Sequence, residues 1–352
     1  MKQKKIFVRV DSGIDIGIGH VMRCLSLAET LAKTNFEVIF LSKKLDDTIC
    51  KLIIKKGYKL CILPESNQNI NIVKSDALET QKIIKSFNDF TSWLLVDHRK
   101  LDIEWENSLR KFVQKIIVID DLADKKHDCD ILIDQNLYEK MNERYENLVP
   151  KNCKQLLGPK YALLRSEFSN LRQKKSIKSR IKLENIFISF GGTDPSNETH
   201  KVLEALKILN LENIQIDVVT TSLNPFKDDI RQLCSSMTNA NFHCDVDKIG
   251  VLMKTSDLAI GAGGSTTWER CCLGLPSLVS VISDDQLECT EIMDKNGYVI
   301  YLGLAENLTV NDYIEKIKNF NIEHLQKISE LNLTLVDGQG CQRILNEMKL
   351  LN

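Results

Sequence analysis

The stretch LAIGAGGSTTWER, residues 258–270, passes from an apolar run into a loop and then into a helical pattern. The apolar run has the length of a buried strand. Three glycines and three hydroxyl residues follow it, and glycine lets a backbone turn sharply or approach a ligand closely. The stretch therefore predicts a strand, a loop and a helix in succession, the repeating unit of an open parallel sheet.

Strand-like and helix-like segments alternate on both sides of this stretch. In the first half, the predicted strands are residues 6–10, 37–41, 58–63, 93–97, 116–120 and 131–134. In the second half, they are residues 186–190, 214–220, 258–261, 277–281 and 298–302. This alternation predicts an α/β fold of two doubly wound, Rossmann-like parallel-sheet domains facing across a cleft. Ligands of such sheets bind beyond the carboxyl ends of the strands.

The predicted boundaries follow a change in composition. Residues 169–182 are rich in Lys, Arg, Ser and Gln and have few apolar side chains, so they are interpreted as a linker. Residues 1–168 then form the first domain and residues 183–336 the second. Residues 337–352 contain an amphipathic helix that we expect to pack back on the first domain.

The composition excludes several classes of protein. The 47 basic and 48 acidic residues nearly cancel, which argues against a nucleic-acid partner. The 11 cysteines form no C-x-x-C pair, so neither a disulfide framework nor a zinc ribbon is expected. No apolar run reaches the length of about 18 residues that a membrane helix needs. We expect a cytoplasmic protein, a monomer or weak dimer, with a small-molecule substrate and neither a cofactor nor a metal.

The loop after the first strand, DSGIDIGIGH, covers residues 11–20. Gly17 and Gly19 allow a sharp turn, and His20 would stand at the N-terminus of the first helix, where a positive charge is disfavoured. A neutral imidazole there can take a proton from water, with Asp11 orienting the imidazole or the water. A glycine turn followed by a histidine that caps the helix explains the same residues.

The fourth predicted strand ends in a polar triplet, Asp97, His98 and Arg99. Such a triplet can line a cleft and contact a ligand. Asp97 can equally cap the next turn, and the sequence favours neither interpretation.

Residues 191–195, GGTDP, follow the first strand of the second half. Asp194 followed by Pro195 is a typical helix start. Capping does not explain Gly191 and Gly192, whose amides, with Thr193 beside them, suit an anion such as a pyrophosphate.

In the loop 261–269, the amides and hydroxyls of Gly263, Gly264, Ser265 and Thr266 can surround phosphate oxygens. Glu269 lies three residues after Thr266, the spacing of a capping box, so it can tie the helix end or accept two ribose hydroxyls. Two Asp-x-Asp pairs, at 128/130 and 245/247, lie away from the glycine loops and are interpreted as turn and capping residues.

With these loops, the sequence resembles the PseG family, hydrolases of UDP-2,4-diacetamido-2,4,6-trideoxy-β-L-altropyranose in pseudaminic acid biosynthesis. The resemblance covers nearly the whole chain. It is carried by RVD (9–11), GIGHVMRCLSLA (17–28), VDH (96–98), IDDL (119–122), GPKYALLRSEF (158–168), SFGGTDP (189–195) and GAGGSTTWERCCLGLP (261–276). It implies a GT-B fold similar to that of the MurG glycosyltransferases, and catalysis without a metal.

The resemblance also implies roles for residues. His20 becomes the base that activates water. The residues implied for the diphosphate and the ribose are Gly264, Ser265, Thr266 and Glu269. We expect Gly191, Gly192, Thr193, Gly263 and Gln286 to complete the UDP site. Those implied for the sugar are Gly17, Gly19, Asp97, His98 and Arg99.

Two departures from the family pattern concern the substrate. The family usually has Tyr at the position of Arg99 and often has Asn at the position of Asp285. The identity of the sugar is therefore less constrained than UDP, and a UDP-sugar hydrolase for a related sugar fits as well. The alternatives are a glycosyltransferase of the same fold and a nucleotide-sugar sensor without turnover. An NAD-dependent oxidoreductase fits poorly because the third glycine of the dinucleotide fingerprint is missing.

Overall fold

A computed structural model describes residues 3–13, 16–65, 72–87, 92–173, 182–319 and 321–351. The chain divides into two compact units. The first comprises Met1–Arg165 and Gln339–Asn352, and the second comprises Ser166–Gly338. Each unit is built on its own parallel sheet.

The sheet of the first unit has seven parallel strands in the order β3-β2-β1-β4-β5-β6-β7. The strands are β1 (Lys4–Val10), β2 (Phe36–Ser42), β3 (Lys59–Ile62), β4 (Trp93–Asp97), β5 (Lys115–Ile119), β6 (Ile131–Asp134) and β7 (Lys154–Leu157). The direction of winding reverses between β1 and β4, where Val10 pairs with Asp97. The loops that follow these two strands therefore leave the sheet side by side.

Four helices of the first unit connect these strands: α1 (Gly19–Ala32), α2 (Asp47–Lys55), α3 (Ile72–Ser86) and α4 (Ile103–Leu109). In α1, Cys24, Leu27 and Leu31 recur at helical spacing and are fully buried. They pack against β1 and β2 in the larger of the two cores of this unit. This packing holds the N-terminal end of α1, with His20, at the carboxyl edge of the sheet.

The second unit repeats the plan with six parallel strands in the order β10-β9-β8-β11-β12-β13. The strands are β8 (Asn185–Ser189), β9 (Gln215–Thr220), β10 (Ala240–Cys244), β11 (Leu258–Ala262), β12 (Ser277–Val281) and β13 (Ile300–Leu304). Winding reverses between β8 and β11, so the two glycine-rich loops leave neighbouring strands.

The helices of the second unit include three that were not predicted. The helices are α5 (Ser166–Gln173), α6 (Glu198–Leu209), α7 (Lys227–Ser235), α8 (Ile249–Thr255), α9 (Thr266–Cys272), α10 (Leu287–Lys295), α11 (Val310–Lys318) and α12 (Ile322–Leu335). The three are α5, α11 and α12. A sequence signal for α11 exists, because Thr309 and Asp312 form a capping box at its start.

The linker expected at 169–182 begins instead as helix α5. Phe168 is fully buried, and the Arg172 guanidinium donates to the carbonyls of Cys272 at 2.9 Å and Leu333 at 2.6 Å. These contacts attach α5 to the second unit, so the division falls after Arg165. Residues 174–181 of the expected linker lie outside the described residues.

The last helix, α13 (Gly340–Leu350), belongs to the first unit. Its buried side chains Ile344, Leu345 and Met348 join the same core as α1. Gly340 lies against the backbone at Tyr161 and Ala162. The chain therefore leaves the first unit after Arg165 and completes its core only here.

Strands β7 and β10 were also missed by the sequence patterns. Both lie at the edge of their sheets, and β10 has no buried residue. An edge strand needs little apolar surface, so the alternation that marks a strand is weak there.

All eleven cysteines are free thiols. Cys24 and Cys271 are buried in the cores, whereas Cys61 is half-buried. Within the described ranges, no helix has the length and apolar character that crossing a membrane would require.

We expect Gly340→Ala to destabilise the first unit. An added Cβ would lie 2.2 Å from the Ala162 carbonyl oxygen and 2.6 Å from the Tyr161 carbonyl carbon, and backbone atoms cannot rotate away. Overpacking of this kind costs about 1–3 kcal/mol. The measurement is the midpoint of urea unfolding, with Gly13→Ala as control because no atom of the described residues lies within 4 Å of a Cβ at that position. Equal midpoints for the two variants would contradict the packing described for α13.

Candidate active site

His20 and Asp97 meet at the point where winding reverses in the first sheet. Asp97 is the last residue of β4, and His20 is the second residue of α1. The Nδ1 atom of His20 lies 2.6 Å from Oδ1 of Asp97. Because a buried, ionised carboxylate only accepts hydrogen bonds, Nδ1 carries the proton and Nε2 has the free lone pair. Over the described residues, no protein group bonds Nε2, so His20 has a fixed tautomer whose Nε2 can accept a hydrogen bond from a ligand or water.

Arg23, one helical turn after His20, holds the other side of Asp97. Its Nε donates to Oδ2 at 2.6 Å and its Nη2 to Oδ1 at 2.7 Å, while Nη1 donates to Asp121 at 2.7 Å. Burial alone would raise the pKa of Asp97, but the charges and hydrogen bonds of Arg23 and His20 outweigh burial and hold this pKa well below its usual range. Asp97 is therefore ionised throughout the neutral range. The sequence patterns did not single out Arg23, although the i, i+3 spacing from His20 places both on one helix face.

Asp11 was expected to orient His20 or water, and the structure gives that position to Asp97 instead. The Asp11 carboxylate accepts from Arg9 at 2.6 and 2.9 Å, from the Ser42 hydroxyl at 2.8 Å and from the Lys43 amide at 2.8 Å. Burial acts to raise the pKa of Asp11, but His98 and Arg9 together hold it far below the usual range. Asp11 thus connects the loop after β1 to the loop after β2. It follows β1, whereas Asp97, which bonds His20, ends the neighbouring strand β4.

His98 was expected to contact the sugar, but both of its ring nitrogens are engaged by the protein. The Lys100 amide donates to Nδ1 at 3.1 Å, which requires Nε2 to carry the proton and donate to Asp11, also at 3.1 Å. His98 therefore links two loops. Arg99 beside it is exposed.

The two glycines Gly17 and Gly19 of the loop 11–20 have distinct positions. Gly17 has φ +77°, in the left-handed region, and its amide closes a turn onto the Gly13 carbonyl at 2.8 Å. Gly19 is the first residue of α1. Together they bring the chain from β1 to His20.

A second buried histidine lies in the wall of the same small cavity as His20. His127 Nδ1 is 2.6 Å from Glu106, and Nε2 is 3.8 Å from Asp120, close enough for an ion pair but too far for a hydrogen bond. Burial lowers the pKa of His127, but Asp120 and Glu106 together outweigh this and raise it to about 9. His127 is therefore a cation at neutral pH, which no sequence spacing indicated.

In the second unit, the loops after β8 and β11 lie beside each other. Gly191 has φ +90° and is exposed, and Gly192 and Thr193 are half-buried. The Gly192 carbonyl accepts from the Thr221 hydroxyl at 2.6 Å, which fixes the loop to the end of β9. Gly191 therefore lies at the surface of the unit, where an anion can reach it.

Close contacts require a glycine near the end of β11, at Gly261, and another in the loop that follows, at Gly263. A Cβ at Gly261 would lie 2.2 Å from the Ser189 carbonyl oxygen, and one at Gly263 would lie 2.4 Å from the Thr290 hydroxyl. Gln286 packs over the loop, with its Nε2 3.5 Å from a Cβ placed on Gly264, and its Oε1 accepts from the Ile282 amide at 3.3 Å. The structure therefore brings Gln286 to the loop that the sequence patterns selected.

The predicted helix caps of this unit need correction. Asp194 accepts from the amides of Glu198 and Thr199, both at 2.9 Å, but α6 starts at Glu198 and not at Pro195. Asp194 has φ +42°, so the chain makes an extra turn before the helix.

The proposed capping box at Thr266 and Glu269 is absent. The residue before α9 is Ser265, whose side chain makes no capping hydrogen bond, and Thr266 is already helical. Ser265 is exposed, and Thr266 and Glu269 are half-buried. This removes the capping explanation for Glu269 and leaves the ribose hypothesis open.

The two Asp-x-Asp pairs are engaged in local structure. Asp128 and Asp130 pair with Arg110, and Asp130 also pairs with Lys115 at 2.9 Å. Asp245 accepts from the Ser222 amide at 3.0 Å. Among the residues that the structure describes, no three His, Cys, Asp or Glu side chains are grouped to hold a metal ion.

Comparison with known proteins identifies relatives but no matching family model. The chain is 28% identical over 301 residues to the UDP-2,4-diacetamido-2,4,6-trideoxy-beta-L-altropyranose hydrolase of Campylobacter jejuni, covering 84% of this chain and 98% of that protein. The resemblance to the PseG family is confirmed. The spore coat polysaccharide biosynthesis protein SpsG of Bacillus subtilis is 23% identical over 337 residues, covering 95% of this chain and 94% of that one.

A third relative is longer. An uncharacterized protein of Methanocaldococcus jannaschii is 28% identical over 293 residues, which is 81% of this chain. The match spans only 57% of that protein, little more than half of its length.

Solved structures confirm the predicted GT-B fold of two parallel-sheet α/β domains. MurG of Acinetobacter baumannii superimposes with a TM-score of 0.68 at 12% identity, over 98% of this chain and 99% of that one. S. aureus MnaA in its UDP co-structure gives a TM-score of 0.67 at 12% identity, over 99% and 96% of the two chains. At this identity the likeness concerns the fold alone.

The raised pKa of His127 predicts how stability depends on pH. A group with a pKa of 6.5 in the unfolded chain and about 9 in the folded one stabilises the fold fully below pH 6.5 and not at all above pH 9. The difference in unfolding free energy between the parent protein and His127→Gln should therefore shrink by about 2 kcal/mol from pH 7 to pH 9.

The measurement is urea unfolding of both proteins at several pH values, followed by tryptophan fluorescence. His324→Gln, at an exposed position of α12, is the control and should track the parent at every pH. A difference that stays constant over this range would show that His127 is neutral in the folded protein.

Proposed function

We propose that the chain is a hydrolase that releases UDP from a UDP-2,4-diacetamido-2,4,6-trideoxy-β-L-altrose type of nucleotide sugar. That the chain is an enzyme of nucleotide-sugar metabolism is supported by its relatives and its fold. The observation that carries hydrolysis is the 2.6 Å bond from His20 Nδ1 to buried Asp97, which leaves Nε2 free to accept a proton. A base held in this way suits activation of water.

The reaction we propose is one displacement at C1 of the sugar. Nε2 of His20 takes a proton as the water oxygen bonds to C1. The C1–O bond breaks, and its electron pair stays on the β-phosphate oxygen of UDP. Attack opposite the leaving group inverts C1. Asp97 stabilises the imidazolium that forms and, because Arg23 keeps it ionised, does not itself take the proton.

The second unit holds UDP in this proposal. The loop amides of Gly191 and Gly192, with Thr193, bind the diphosphate together with a second set of loop residues. That set is Gly263, Gly264, Ser265, Thr266 and Gln286. Glu269 accepts the ribose hydroxyls, and fixed donors stabilise the charge that develops on UDP.

The sugar contacts are revised from those that the family resemblance implies. Asp97 and His98 are occupied by protein partners, so we assign the sugar to the backbone of Gly17 and Gly19 and to Arg99. A guanidinium donates where the family tyrosine would both donate and accept. The preferred substituents of the sugar should differ accordingly.

We place the reaction in the cytoplasm, in the biosynthesis of pseudaminic acid or a related nonulosonic acid. The proposal that no metal is needed rests on the family resemblance. An excess of chelator in the assay tests it directly.

Incubation with the UDP-sugar alone, followed by phosphorus NMR, should show UDP accumulating without any acceptor. His20→Gln should lower kcat by about 10²–10⁴ because general-base catalysis is lost. Its UDP affinity, measured by calorimetry, should stay within about twofold, because the imidazole acts on water.

His324→Gln serves again as the matched control and should keep full activity. UDP release that begins only when an acceptor is added would indicate a glycosyltransferase. Binding of UDP-sugar with no release under any condition would indicate a sensor. A His20→Gln enzyme with most of its activity would remove His20 from the mechanism.

Asp97→Asn should lower kcat by about 10²–10⁴, the range over which a wrongly oriented imidazole loses general-base catalysis. An amide can donate to Nδ1 and so favours the other tautomer, in which Nε2 carries the proton. UDP affinity should not change, and circular dichroism should verify that the variant is folded. A folded variant with kcat within threefold of the parent would show that Asp97 only serves the fold.

A further inference from the structure

Arg270 is a buried cation without an anionic partner. Its side chain is 1% exposed, and its Nη2 donates to the Ala262 carbonyl at 2.8 Å and to the Thr267 hydroxyl at 2.9 Å. Its Nε is buried with no hydrogen-bond partner. Throughout the described part of the chain, no carboxylate oxygen lies within ion-pair distance of the guanidinium. Buried charges are normally paired, so this one requires an explanation.

Among the described residues, Arg9 is the other fully buried arginine, and it has anionic partners. Arg9, also 1% exposed, bonds Asp11 and Asp76 at 2.6–3.1 Å, and these partners raise its pKa although burial acts to lower it. Burial lowers the pKa of Arg270 to about 10, and the nearby charges do not offset this. The folded protein therefore keeps a desolvated positive charge in the second unit that it does not neutralise.

The Arg270 guanidinium lies beside the glycine-rich loop that follows β11. A Cβ on Gly261 would lie 2.9 Å from Arg270 Nη1, so the guanidinium lies directly against the start of the loop 261–264. The carbonyl that it binds, that of Ala262, precedes the two loop glycines. Helix α9 has seven residues, fewer than two turns, so its own dipole is a weak source of positive potential.

We propose that Arg270 is an electrostatic positioning residue whose charge the diphosphate of UDP neutralises. This inference rests on the proposed function, in which the loop 261–264 holds the diphosphate. The guanidinium acts from beneath the loop, holding it through Ala262 and attracting the phosphates through space. Before UDP binds, the unpaired charge destabilises the fold, and the bound anion offsets that cost.

The rival explanation is that Arg270 only fastens the loop to α9. The two explanations predict opposite effects on stability. If the charge is uncompensated, a neutral residue of similar length should leave the fold as stable or make it more stable. If the hydrogen bonds are what matter, the same substitution should destabilise it.

The test compares Arg270→Met with the parent protein by calorimetric titration of UDP and UMP and by urea unfolding without nucleotide. We expect the Kd of UDP to rise at least tenfold and that of UMP by a smaller factor, with an unfolding midpoint equal to or above that of the parent. Arg172→Met is the matched control, since that guanidinium donates to the carbonyls of Cys272, at the C-terminal end of α9, and Leu333, in α12. The ratio of the UDP and UMP affinities of this variant should be unchanged.

Arg270→Lys provides a second measurement if the Met variant does not fold. A buried lysine loses its proton at lower pH than an arginine. The UDP affinity of the Lys variant should therefore fall between pH 7 and pH 9 while that of the parent does not. A purely structural role predicts no such difference in pH dependence.

The outcomes separate this inference from the proposed function. A parent protein that does not bind UDP overturns both. A parent that binds and releases UDP, together with an Arg270→Met variant of unchanged UDP affinity and lower midpoint, overturns only the role of Arg270. An Arg270→Lys variant whose UDP affinity does not change between pH 7 and pH 9 also overturns only the role of Arg270.

Discussion

The ion pair between Arg23 and Asp97 is the interaction on which the site of the first unit depends. Two short hydrogen bonds hold a buried carboxylate in its ionised form, and that carboxylate determines which nitrogen of His20 carries the proton. Without the guanidinium, only His20 would oppose the effect of burial, which raises the pKa of Asp97. The fold supplies the geometry, because β1 and β4 are neighbours and end at the same edge.

The two units differ in how their buried arginines are compensated. In the first unit every buried arginine lies between two carboxylates, as Arg9 does between Asp11 and Asp76 and Arg23 between Asp97 and Asp121. In the second unit Arg270 has only neutral acceptors among the described residues. In our proposal, the compensated charges preorganise His20 as a base, whereas the uncompensated charge of Arg270 is neutralised by an anion from outside. The two arrangements suit the two parts of a nucleotide sugar that we assign to them.

Much of this architecture follows from the sequence. Apolar runs that alternate with helical spacing identified most strands and the presence of two parallel sheets, because buried parallel strands have a nearly continuous apolar pattern. The loops at the carboxyl ends were also found, since glycines and polar residues interrupt those patterns abruptly. The edge strand β10 was not predicted because an exposed edge strand needs no continuous apolar pattern.

The partners within the site could not be predicted in the same way. Which carboxylate meets His20 depends on strand order, and Asp11 and Asp97 are equivalent in sequence terms because each ends or follows an apolar strand. The pairing of His127 with Glu106 and Asp120 likewise depends on three separate segments. The alternation of strands and helices and the spacing of nearby residues can be recognised in the sequence. Which buried charges pair with each other depends on the fold.

The return of α13 to the first unit has a consequence for how the protein is made. Residues 166–338 form a contiguous unit, so a ribosome can release all of it before the segment that fills the core around α1 emerges. The first unit therefore lacks part of its core during this time, and the surface that Ile344, Leu345 and Met348 will cover is still open to solvent. The unit that is synthesised first is thus the last to complete its core, and until then chaperones would have an exposed apolar surface to bind.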